Sequence, residues 1–67
     1  MNPKEIGNKL IRLRGNKPQS TVACAVGITV SALSMYEAGN RIPRDDVKIA
    51  LAKYYGTTVQ ELFYFAS

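Results

Sequence analysis

The apolar positions of this chain recur at helical spacing, and each group ends at a glycine. Ile6, Leu10 and Leu13, with Ile11 beside them, form the first stripe, the recurrence of an amphipathic helix. Asn2, Pro3 and Glu5 mark its start: Asn caps, Pro suits the first helical position, and Glu three residues after the cap can reach back. Arg12 and Arg14 favour the dipole in the last turn, before Gly15-Asn16 stops it. A second helix is predicted from Pro18, capped by Asn16 or Lys17, with Val22, Ala23 and Val26 inward and Gly27 as its stop. Thr29 caps a third, in which Leu33 and Tyr36 point inward before Gly39. Asn40 to Arg44 reads as a loop. The fourth helix opens at Asp45 or Asp46, carboxylates suited to a positive N-terminus, and carries Val47, Ala50, Leu51 and Tyr54 up to Gly56. A fifth opens with Thr58-Val59-Gln60-Glu61, a capping-box spacing, and buries Val59, Leu62 and Phe63.

The stretch VACAVGITV, taken alone, is also strand-prone. The caps and stops on both sides are helical, however, and a lone hairpin in so short a chain is marginal. The prediction is therefore an all-α fold of five short helices, one domain over residues 1–67, with no repeat, linker or low-complexity tract.

Composition narrows the function. At 67 residues, 46% of them apolar, the chain is near the lower size limit for a domain that folds unaided, yet it has enough apolar surface for a core. One cysteine, Cys24, and no histidine exclude a disulfide within the monomer and a Cys/His zinc site, and suit a reducing cytoplasm. Cys24 itself reads as a small packing residue. No apolar run reaches the roughly 20 residues a bilayer span needs, and the N-terminus lacks a signal-peptide block. A soluble cytoplasmic domain is expected. Nine Lys and Arg against five Asp and Glu give +4, which permits a polyanionic partner without requiring one.

Between Gln19 and Tyr36 the pattern becomes specific. Ala23 lies four residues before Gly27, Ile28 follows it, and Leu33 and Tyr36 form a second inward face. Two helices crossing near a right angle need this set: a small residue for close approach, and a glycine for the positive φ of the turn. The motif is a helix-turn-helix over about residues 19–38. The segments QSTVACAVGITVSALSMYEAGNRIP and VKIALAKYYGTTVQELF resemble the Cro/C1-type helix-turn-helix family of phage repressors, Cro proteins and small bacterial regulators. The resemblance implies a compact five-helix, lambda-repressor-like domain.

It also implies double-stranded DNA as partner, with the second helix of the motif in the major groove. By position, Val30, Ser31, Ser34 and Met35 would read bases. Lys17, Gln19, Asn40, Arg41 and Arg44 would meet phosphates, supplying affinity and register. Many relatives carry Gln, Arg or Lys at the first reading position; Val30 departs from this. Arg12 and Glu37 would form the structural ion pair that ties the first helix to the third in several relatives. Relatives of similar length pair through the C-terminal end, here residues 58–67. Tyr64 and Phe65, with Phe63 and Tyr55, are accordingly expected at a homodimer interface.

No histidine, phosphate loop or nucleophile–base pair suggests an enzyme, and Asp45-Asp46 is explained by helix capping; no cofactor or metal is expected. The leading reading is a regulator, a repressor occupying a palindromic operator as a homodimer. RNA polymerase becomes a further partner if the bound dimer activates. The competing reading is a protein-interaction module of the same fold, antitoxin- or anti-repressor-like, favoured by Cys24, Ala25 and the weakly polar third helix.

Overall fold

The computed structural model describes residues 2–65; Met1, Ala66 and Ser67, at the ends of the expected domain and pairing segment, lie outside it. Its helices are α1 (Pro3–Arg14), α2 (Gln19–Val26), α3 (Val30–Glu37), α4 (Asp45–Tyr54) and α5 (Val59–Phe63). Among the described residues there is no strand, and no single helix is long and apolar enough to cross a membrane. Each helix contributes one side chain with 0% exposure, namely Leu10, Val22, Leu33, Leu51 and Leu62. No pair of helices could bury these five alone, so the core exists only when all five elements are in place.

Side chains cap three helices as the sequence requires. Asn2 Oδ1 accepts from the amides of Lys4 and Glu5, Thr29 Oγ1 from Ala32, and Thr58 Oγ1 from Glu61. The cap of α2 is Pro18, which offers no side-chain bond, rather than Asn16 or Lys17. Gly27 ends α2 in the left-handed region at φ 77°. There its N–H donates to the Cys24 carbonyl and that of Ile28 to the Ala23 carbonyl, the two bonds of a Schellman motif. The chain then turns by 108° from α2 to α3, within the range of a helix-turn-helix.

The α1 stripe is rotated from its expected position. Ile6, Gly7 and Leu10 are buried, whereas Ile11 and Leu13 are 43% and 38% exposed. The reason is Gly7, which lets α1 settle onto the end of α3. A Cβ at that position would collide with the backbone carbonyl oxygens of Glu37 and Tyr36. At Gly39, also at φ 77°, a Cβ would meet the Lys4 backbone at 3.0 Å. The closest approach of α1 to α3 is thus backbone against backbone. In α4 the buried face is Val47, Lys48, Leu51 and Ala52; the expected Ala50 and Tyr54 are only half-buried. Lys48 reaches burial by laying its Nζ 2.9 Å from the Tyr64 hydroxyl and 4.9 Å from that ring's centre.

Gly7→Ala is expected to destabilise the fold by about 1–3 kcal/mol through overpacking, although Ala is the better helix former by about 1 kcal/mol. Urea unfolding of the two proteins checks the sign.

Candidate nucleic-acid interface

Glu37 is the last residue of α3, and its side chain is 4% exposed. Arg14 meets it side-on, with Nε 2.7 Å from Oε2 and Nη2 3.1 Å from Oε1. Gln19 Nε2 donates to the same Oε1 at 2.8 Å, while Arg14 Nη1 donates to the Lys17 carbonyl at 2.8 Å. One carboxylate therefore joins the end of α1, the start of α2 and the end of α3. The hydrogen bond to Glu37 holds the Arg14 guanidinium above its ordinary pKa, outweighing its partial burial.

The expected partner of Glu37 was Arg12, and the structure corrects this to Arg14. Residues two apart on a helix project about 200° from each other, so only one of them can face α3. Arg14 continues the face of Gly7 and Leu10, whereas Arg12 is exposed. The signal was available in the sequence: Gly7, Leu10 and Arg14 stand at i, i+3 and i+7. Reading Leu13 as the apolar continuation concealed it.

The cluster turns α3 so that Leu33, Tyr36 and Glu37 face inward and Val30, Ser31 and Ser34 are exposed, with Met35 half-buried. Of the four expected reading residues, Val30, Ser31 and Ser34 are thus open to solvent and Met35 is partly covered. On the Ala32 and Tyr36 flank of the same helix is an open hollow of about 330 Å³, shared with the α2–α3 turn and a loop contributing Arg41 and Arg44. Arg41, Arg44, Asn40 and Lys17 are all exposed. Arg44 lies 3.5 Å from Asp46 in a pair that is largely solvated on both sides, a contact of little energetic weight. Lys17 Nζ sits 5.0 Å above the Tyr54 ring. Gln19 differs from expectation, because its amide nitrogen is bonded to Glu37 rather than directed outward.

At the C-terminal end the expected pairing set divides. Phe63 is 1% exposed and belongs to the core, so it has no surface to offer a second copy. Phe65 is partly buried against the same core, with Lys9 Nζ 4.2 Å above its ring. Tyr64 is 45% exposed. Tyr55 is half-buried with its hydroxyl enclosed and unpartnered. Burial first, and the Glu37 carboxylate second, push that hydroxyl up to about 12. Cys24, read as a packing residue, is exposed. Among the described residues no three His, Cys, Asp or Glu side chains converge as a metal site would require.

A family model described as helix-turn-helix matches residues 9–62. No curated protein and no solved structure matches the chain significantly.

Two outcomes follow from this geometry. Arg14→Ala strands the buried Glu37 carboxylate and should cost about 3 kcal/mol, whereas Arg12→Ala should stay within about 0.5 kcal/mol of the parent; chemical denaturation distinguishes them. Tyr55 holds its proton more tightly when folded, so its contribution to stability is complete below 10.0 and lost as pH rises through about 12. Tyr55→Phe should be neutral or stabilising at pH 7, since no hydrogen bond is lost. It should also show a smaller fall in stability than the parent across that alkaline window, measured by denaturation midpoints.

Proposed function

The chain belongs to the Cro/C1-type helix-turn-helix family, a family of DNA-binding regulators, and we propose that it is a sequence-specific repressor that occupies a palindromic operator as a homodimer. The observation carrying this reading is the hollow shared by Thr29 at the start of α3 with Arg41 and Arg44. It puts two cations at the turn that starts the motif's second helix, whose exposed face carries Val30, Ser31 and Ser34. In a major groove, that face would meet base edges while Arg41, Arg44 and Lys17 met the flanking phosphates. The uncapped start of α2 would supply backbone N–H groups to another phosphate. That contact does not require the Gln19 side chain, which is held by Glu37. Phosphate contact would fix register; the face of α3 would supply the sequence preference.

The homodimer would use Tyr64 as its principal apolar contribution, with Phe65 and Tyr55 at the margin. Two copies related by a two-fold axis would set their recognition helices about 34 Å apart, one turn of DNA. Such a protein acts in the cytoplasm, and contact with RNA polymerase would turn the same occupancy into activation.

The test is an anisotropy titration of a duplex selected from a randomised pool against its scrambled counterpart, at two salt concentrations. Preference for the selected duplex by ~10³ or more is expected, with two protomers bound per duplex by sedimentation. Arg41→Ala and Arg44→Ala should weaken both duplexes alike, each lowering the salt slope by about 1 per protomer. Equal, weak and salt-labile binding to both would overturn the proposal in favour of a protein partner.

A further inference from the structure

The exposed face of α3 carries an unusual chemistry for a reader of bases. From Pro18 to Ala38 the sequence holds one charged residue, Glu37, and that residue is buried and fully engaged with Arg14 and Gln19. The outward face of α3 therefore presents no guanidinium, ammonium, carboxylate or side-chain amide. It presents the isopropyl group of Val30, 43% exposed in the first turn, the hydroxyls of Ser31 and Ser34, and the thioether of the half-buried Met35. Positions 30, 31, 34 and 35 are the i, i+1, i+4, i+5 set of one helical face. The two hydroxyls thus lie between an apolar group at the start of the helix and another one turn further on.

Each base pair shows the major groove a distinct pattern, and three of its four elements are read best by groups that this face lacks. Guanine is read by a forked cation, adenine by a side-chain amide and cytosine by a carboxylate. The fourth is the C5-methyl of thymine, read by apolar contact. Serine hydroxyls donate or accept at any edge, and so discriminate weakly by themselves. Building on the DNA-binding reading above, we infer that α3 selects its site through thymine C5-methyl groups, with Val30 and Met35 as the specificity-determining residues. The matching ligand is a half-site with one thymine methyl facing Val30 in the first turn of α3 and a second facing Met35 one turn further on. A thymine-rich half-site also tolerates the close seating that short serine side chains require, because no long side chain holds the helix away from the groove floor.

The experiment uses the full chain and the duplex selected from a randomised pool. Each thymine is replaced in turn by deoxyuridine, which deletes the methyl and leaves the pairing edge unchanged. Loss of one buried methyl should weaken binding about fourfold at one or two positions in each half-site and leave the others unmoved. Val30→Ala, at an exposed site and checked for unaltered helicity, should abolish the uridine penalty at its own position only. Met35→Ala should do the same at a second position. Specific binding with no uridine penalty at any position would overturn the inference while leaving the DNA-binding reading intact, as would selected half-sites without thymine. Failure to enrich any duplex would overturn both.

Discussion

The carboxylate of Glu37 is the constraint on which the rest of the structure depends. It is almost without solvent, so it must be paired, and the pairing draws in groups from two other helices. The backbone of the same residue is also the surface on which Gly7 of α1 rests. Residue 37 therefore fixes α1 twice, through its carbonyl at one point and its side chain at another. Two fixed points on a helix define its direction as well as its position. A buried ion pair contributes little net stability relative to well-packed apolar groups, but a broken one is expensive. Its consequence here is geometric: it sets the direction of α1 and the start of α2 relative to the end of α3.

That direction accounts for the division of chemistry on the surface. With Leu33, Tyr36 and Glu37 turned inward, Val30, Ser31 and Ser34 are left exposed on the same short helix, and the motif has an uncharged face. The cations stand at its margins, on the turn before α2 and the loop after α3. A surface of this kind separates two tasks that protein–DNA interfaces divide between phosphates and base edges. On the proposed reading, long-range attraction would come from the margins and be sequence-blind, and short-range selection would fall to groups that act only on contact.

Most of the fold was legible from the sequence because its punctuation is unambiguous: Asn2, Thr29 and Thr58 cap as such residues should, and Gly27, Gly39 and Gly56 end helices. The misreadings share one cause, which is tertiary. Leu13 reads as core by its period, yet the Gly7–Glu37 contact rotates α1 and places Arg14 where a leucine was expected. Phe63 reads both as core of the fifth helix and as a pairing residue, and the structure decides for the core because that helix is only five residues long and needs the ring to close it. In each case a partner distant in sequence decides the outcome. The proposed reading face of α3 follows from position in the motif, and its chemistry is evident in Val30, Ser31, Ser34 and Met35.

The central claim is that α3 and the loop after it form the surface that meets DNA. The most direct measurement is an amide chemical-shift titration of the isotope-labelled chain with the selected duplex, compared with the scrambled one. The selected duplex should move the amides of Val30 to Met35 and of Arg41, Ile42 and Arg44, leaving the outer face of α1 around Asn8 and Ile11 unmoved. Shifts concentrated on α1 or α5, equal for both duplexes and leaving α3 unchanged, would contradict it.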